Sequence, residues 1–217
     1  MNIEQARFNM VEQQIRPCEV IDPQVLDLLF VIKRESFVPP AYKMLAFADM
    51  EIPIGYGQVM LAPRIEARLL QEAGVRRNDR VLEIGTGSGY MAALLAARAE
   101  HVITLECVPE LAEMARHHLA DAGIGNVIVE TANGNSGWPL GGPYDVIMLS
   151  GAVPQIPPEL LSQLRVGGRL VAVVGEAPAM TAQVVTCVTE GAYHTVGIFE
   201  TVIPPLSGLT GADVFKF

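Results

Sequence analysis

Glu83-Ile84-Gly85-Thr86-Gly87-Ser88-Gly89-Tyr90 holds three glycines in alternate positions, at the end of the short predicted strand Arg80 to Ile84. Gly85 permits a tight turn, and Gly87 lets the backbone approach a ligand with no Cβ in the way. The spacing, G-x-G-x-G, is one residue shorter than the G-x-G-x-x-G of dinucleotide sites. A dinucleotide sets its pyrophosphate on a helix N-terminus. Here an acid, Glu83, stands two residues before the first glycine, which suits a cationic ligand group better than a phosphate. Glu106 follows about 20 residues after Gly85, at the end of the next predicted strand, where an acid binds a ribose diol.

A ligand with a ribose, an ammonium and a sulfonium but no phosphate is S-adenosylmethionine, and the loop is read as its site. The competing readings are a packing turn for the glycines and an exposed strand-end acid for Glu106. For Asp145 a turn role is as good as a ligand role. His101, His117, His118 and His194 have no sequence partner that suggests catalysis, and they read as structural or surface residues. Cys18, Cys107 and Cys187 form no CxxC and no ligand cluster, so no metal site is expected and they read as buried reduced thiols.

Those residues need a parallel sheet to position them. Strands are predicted over 80–84, 101–105, 126–130, 144–149 and 168–174, with helices over 90–98, 109–119 and 158–164 between them. Such alternation implies an α/β fold with ligands at the carboxyl ends of the strands. Residues 182–188 and 195–203 read as strands with no helix between, a hairpin turning at Glu190-Gly191-Ala192. Ahead of the sheet, helices are predicted over 3–15, from Asp22-Pro23 to Ile32, around 42–47, and from Pro63 to Gly74. Residues 49–63 have no sustained period and read as a loop. The expected fold is a Rossmann-like, mostly parallel S-adenosylmethionine-binding sheet with a C-terminal antiparallel hairpin and an N-terminal helical segment. It is one domain over 1–217, with helices and substrate loop over 1–78 and the cofactor-binding core over 79–217.

Composition narrows the function classes. The chain has 15 basic and 24 acidic residues, a net charge of −9, and only Lys33, Lys43 and Lys216 as lysines. A polyanion is a poor partner for such a surface, so no nucleic acid is expected. No apolar run reaches the ~18 residues of a membrane span. Met1 to Met10 lack a signal-peptide pattern, and the expected location is the cytoplasm. Half of the residues are apolar, enough for a sizeable core.

The chain resembles the protein-L-isoaspartate O-methyltransferase family over nearly its whole length. Arg34-Glu35-Ser36-Phe37-Val38-Pro39 is similar to the family's R-E-x-F-V-P, and Leu45 to Asp49 to its L-A-Y-x-D. Pro53-Ile54-Gly55-Tyr56-Gly57-Gln58 is similar to P-I-G-x-G-Q, and Gly134-Asn135-Ser136-Gly137-Trp138 to G-x-x-G-W. Val81 to Tyr90 resembles the first methyltransferase motif. Tyr144 to Ile147 resembles F-D-x-I, Gly167 to Val171 resembles G-G-R-L-V, and Pro205-Leu206 resembles the closing V-P-L. The P-I-G-x-G-Q and G-x-x-G-W segments are the family-specific ones.

The resemblance implies a methyltransferase that moves a methyl group from S-adenosylmethionine to an isoaspartyl carboxylate of a protein or peptide. It implies cofactor roles for Glu83, Gly85, Thr86, Gly87, Gly89, Asn133 and Gly134, and a ribose role for Glu106. Residues 53–63 would cover the transfer site. Two departures fall there. Where the family has T-x-S-x-P after G-Q, this chain has Val59-Met60-Leu61-Ala62-Pro63, so both hydroxyls that line the reacting carboxylate in the family are absent. Asn133 replaces the family aspartate that accepts from the adenine amino group, and its side-chain oxygen can still accept. The alternative is therefore a cofactor-binding relative with a less polar acceptor, or one without repair activity. The sequence sets no oligomeric state.

Overall fold

A computed structural model describes residues 2–208. Seven strands make the main sheet: β3 (Arg80–Ile84), β4 (His101–Glu106), β5 (Val127–Thr131), β6 (Tyr144–Val153), β7 (Leu164–Glu176), β8 (Ala179–Thr189) and β9 (Ala192–Glu200). Their order is β5-β4-β3-β6-β7-β8-β9. The first five pair in parallel, and β7–β8 and β8–β9 are antiparallel. The chain leaves β3 toward β4 on one side and later returns to β6 on the other. That switch point opens a crevice at the carboxyl end of β3, where the glycine loop lies.

The sheet is covered on both faces, and the residues alternate accordingly. Val81, Val146 and Met148 face a core shared with the N-terminal helices. Leu82, Ile147 and Leu149 face a second core under β7 and β8. The helices that cover it are α1 (Ile3–Asn9), α2 (Pro23–Val31), α3 (Pro63–Ala73), α4 (Tyr90–Ala96), α5 (Pro109–Asp121) and the single turn α6 (Pro158–Leu161). Asp22 caps α2 through its side chain, with Pro23 in the first turn, as the sequence predicts. In α3, Ile65, Leu69, Leu70 and Ala73 point inward and Gly74 closes the helix in a left-handed conformation.

The structure departs from expectation at four places. The first helix changes to π geometry over Met10–Ile15, which brings Met10, Val11 and Ile15 together on the buried side at i, i+1 and i+5. β6 and β7 run several residues beyond their predicted ends, because pairing with neighbours extends strands past the apolar run. Residues 49–63 are not all loop: β1 (Ile52–Gly55) and β2 (Gln58–Met60) form an antiparallel hairpin. Its turn uses Tyr56 and Gly57 at φ of 53° and 71°, the two positive values that a tight hairpin turn takes. Of the three cysteines only Cys187 is buried; Cys18 is half-buried and Cys107 exposed. Cys107 lies just past the end of β4, where the chain leaves the sheet for the crevice.

Candidate active site

The glycine loop is tied to the neighbouring strand before any ligand is considered. The N–H groups of Gly85 and Thr86 both donate to the Leu105 carbonyl of β4, at 2.9 and 3.2 Å. Gly85 and Gly87 have φ of +94° and +52°, in the left-handed region where a side chain is strained. A Cβ on Gly85 would lie 2.5 Å from the Leu206 side chain, and one on Gly87 would lie 3.2 Å from Ile54 of the β1–β2 hairpin. The loop therefore sits between the C-terminal segment and the hairpin, with no room for side chains on the side facing the crevice. Gly89 packs against Ala115 of α5 and opens α4.

Two carboxylates flank the loop. Glu83 is fully buried and accepts from the Thr104 hydroxyl on β4 (2.7 Å) and the Ser150 hydroxyl on β6 (2.6 Å). Burial pushes its pKa up to about 8, against those two hydrogen bonds. A cation placed beside it would restore the charged form. Glu106 is 5 % exposed; its two oxygens accept from the N–H groups of Gly87 (2.9 Å) and Val108 (3.0 Å). Oε1 also accepts from the Cys107 thiol at 3.7 Å, while Oε2 keeps a further lone pair for a ribose hydroxyl.

Glu106 and the loop line a cleft bounded by Ile84, Gly85, Gly87, Glu106 and Gly134 on one side and by Val59 and Leu61 on the other. Pro204 to Ser207 close its edge. Backbone hydrogen bonds hold that segment to Ala152 of β6, and Gln58 of the hairpin donates to the Ser207 hydroxyl at 2.9 Å. A smaller chamber lies alongside, bounded by the same Val59, Leu61, Gly85 and Gly87. Glu66, Glu83, Ser88 and Ser150 line it. The donor set fits S-adenosylmethionine: a carboxylate for a diol, a buried acid whose charge a cation would stabilise, and a glycine cradle without a phosphate-binding cation.

The sequence-predicted residues do not all fall together. Gly85, Gly87, Glu106, Gly134, Val59 and Leu61 line the cleft, and Glu83 and Thr86 line the chamber. The Thr86 hydroxyl is 2.6 Å from that of Thr104, inside the fold. Asn133 is exposed, and its Oδ1 accepts from the Asn135 N–H of its own turn (2.9 Å), while Ala132 and Gly134 line the cleft beside it. Asp145 lies at the opposite pole, accepting from the Arg80 N–H and paired with Arg165 at 2.8 Å, a structural role. Sequence reasoning missed Thr104, Ser150, Leu206 and Ser207. A lone serine ending the apolar run of β6 was a readable signal for Ser150. Nothing local marks Thr104, which acts only through its neighbour strand.

Among the described residues no cluster of three His, Cys, Asp or Glu could hold a metal ion, and no helix is long and apolar enough to cross a membrane. His117 pairs with Glu113 on the surface, and the His118 Nδ1 lies 2.9 Å from the Ser88 carbonyl, away from the cleft. A nucleophile that is already ionised, such as a carboxylate at neutral pH, needs no base. The chemistry open to this site is methyl transfer by alignment.

A family model for protein-L-isoaspartate(D-aspartate) O-methyltransferase (PCMT) matches residues 5–202. A protein-L-isoaspartate O-methyltransferase of Methanoculleus marisnigri is 42% identical over 206 residues, covering 94% of this chain and 93% of the relative. One of Koribacter versatilis is 40% identical over 205 residues, covering 94% and 92%. Among solved structures, a Plasmodium falciparum protein described as a protein-L-isoaspartate O-methyltransferase, in complex with S-adenosyl-L-homocysteine, superposes with a TM-score of 0.78 at 18% identity. That match covers 95% of this chain and 98% of the other and shows the shared fold.

Proposed function

This chain belongs to the protein-L-isoaspartate(D-aspartate) O-methyltransferase family, and from that premise we propose that it methylates an isoaspartyl carboxylate of a protein or peptide, using S-adenosylmethionine. The observation that supports it most is the cleft itself. It joins the glycine loop and Glu106 on one wall to the P-I-G-x-G-Q hairpin on the other. Bound S-adenosylmethionine supplies a methyl group on a positively charged sulfur.

The chain's own residues do the rest. Glu106 accepts from the ribose hydroxyls, and the narrow backbone around Gly85 and Gly87 admits the ligand. Glu83 answers the ammonium. Asn133 is assigned to the adenine edge, where its Nδ2 or Oδ1 takes part once its turn hydrogen bond is shared. Val59 and Leu61 exclude water beside the transferring group and offer the acceptor no hydrogen bond. What remains is proximity and in-line alignment, which by themselves supply a large part of such a rate.

The apolar wall favours a second reading on one specific ground. Two hydrogen bonds to a charged acceptor are replaced by Val59 and Leu61, so an acceptor less polar than a carboxylate would lose nothing there. Transfer of labelled methyl to an isoaspartyl peptide, with cofactor affinity measured alongside, separates the two. Turnover supports repair chemistry. Cofactor binding with no transfer to the peptide, and labelling of other molecules in a cell extract, would support the second reading.

A further inference from the structure

The acceptor wall hangs on few contacts. Among the described residues, two side-chain hydrogen bonds reach residues 58–61 from outside the hairpin or are sent out by it. One is the exposed Gln58–Ser207 pair. The other is deep inside: the Nη2 of Arg34 donates to the Leu61 carbonyl at 2.6 Å. Arg34 is 1 % exposed. Its Nε donates to the Ala46 carbonyl at 3.0 Å, and its Nη1 is paired with the carboxylate of Glu66 on α3, itself 4 % exposed. The guanidinium carbon stands 5.2 Å from the ring centre of Tyr90, the first residue of the helix that follows the glycine loop.

We propose that Arg34 is a positioning residue for methyl transfer, fixing the distance between the acceptor wall at Leu61 and the cofactor loop. One planar group bonds the carbonyl of Leu61, just past the hairpin in the cleft wall, and stands over the ring of Tyr90, the residue that follows the cofactor loop. A guanidinium does this better than an ammonium, since its donors are held in one rigid fork. Glu66 neutralises the buried charge and holds the fork's third direction. A misplacement of about 1 Å in a reacting group can cost ~100-fold in rate. A wall released from Arg34 therefore slows the reaction without any change in the ligand's own contacts.

The test uses the double variant Arg34→Met with Glu66→Leu. Replacing a buried ion pair by apolar residues of similar volume is often neutral for stability, which leaves as the folding cost only the donor lost by the Ala46 and Leu61 carbonyls. Arg34→Lys, which keeps the charge opposite Glu66 but not the fork, is the second variant. Each is measured for melting midpoint, affinity for S-adenosylhomocysteine, and kcat and KM on an isoaspartyl peptide. Amide hydrogen exchange is followed over 58–62 and over 85–89.

The expected result is a melting midpoint lowered by several degrees for the double variant, and cofactor affinity within about threefold for Arg34→Lys, which leaves Glu66 in the chamber. Peptide kcat should fall about tenfold or more, with KM little changed, and exchange should quicken over 58–62 but not over 85–89. Unchanged kcat and unchanged exchange would overturn the proposal. So would a parallel fall of melting midpoint, cofactor affinity and kcat, the pattern of a merely structural pair. The kinetic arm rests on the isoaspartyl reading; the exchange arm does not. If wild type fails to turn over the peptide, the acceptor assignment fails, and exchange over 58–62 still decides the role of Arg34. If a variant does not fold, the other carries the same comparison. If neither folds, the pair is structural and the proposal falls.

Discussion

The two walls of the cleft are built in opposite ways. On the cofactor side the polar groups are buried and doubly held: Glu83 by two hydroxyls, Glu106 by two backbone N–H groups. Much of that wall is backbone, so its shape follows from glycine positions and sheet pairing. On the acceptor side, a short hairpin presents Val59 and Leu61, side chains that accept and donate nothing. The difference teaches where change is tolerated. A change in the wall of paired backbone and buried acids costs cofactor contacts, whereas two side chains on the acceptor wall alter the chemistry offered to the acceptor and leave the cofactor contacts intact.

The largest effect is expected on the acceptor side. Val59→Thr with Leu61→Ser restores two hydroxyls beside the reacting carboxylate, each worth ~1.5–3 kcal/mol when bonded to a charged group. Isoaspartyl methylation should rise by about a hundredfold or more, since about 1.4 kcal/mol is tenfold. Steady-state rates on one peptide check it. A wild type already as fast as the variant would mean that the hairpin backbone binds the carboxylate and the two walls are equally competent.

Next comes the cofactor wall. Gly87→Val forces a β-branched residue to a left-handed φ and sets its Cβ against Ile54. Affinity for S-adenosylhomocysteine should fall about tenfold or more while circular dichroism stays that of the folded protein. Retained affinity would reduce the loop to a packing turn. A milder change, Glu106→Gln, keeps one acceptor oxygen but loses the charge. Calorimetry should show a several-fold loss for adenosyl ligands and none for free methionine, and an equal affinity would remove the ribose role.

The smallest effect is on stability. The folded-state pKa of Glu83 is raised from 4.5 to about 8, so the folded chain holds that proton more tightly than the unfolded one. The resulting stabilisation is complete below pH 4.5 and is lost as pH rises through 8. Thermal melts of wild type and Glu83→Gln should therefore diverge in the variant's favour, by a few degrees, between about pH 5 and about pH 8.5. Parallel curves would place the Glu83 carboxyl in a more polar setting than its burial implies.

Much of the cofactor wall was legible in the sequence because its signals are local. A strand, three alternate glycines and a helix start are contiguous, and Glu106 stands at a strand end that periodicity locates. The hairpin at 52–60 was not legible. Pro53 argues against a strand, and only the left-handed pair at Tyr56 and Gly57 makes the turn. The extra lengths of β6 and β7 were equally hidden, because Ser150, Gly151 and Gly175 look like strand ends until a neighbour pairs with them.

By itself the sequence determined the order of elements from β3 onward, the α/β class, the cofactor loop, and the substitution of two family hydroxyls by Val59 and Leu61. Those properties are written within short windows, as periodicity, spacing and residue type. The tertiary structure alone decided that Thr104 and Ser150 clamp Glu83, that Leu206 fills the space left by Gly85, and that Arg34 reaches across to Leu61. Each of these joins residues 21 to 121 positions apart in the chain. Such contacts depend on strand order and helix packing, which no local pattern encodes, and they become possible only once the sheet has brought the strand ends to one place.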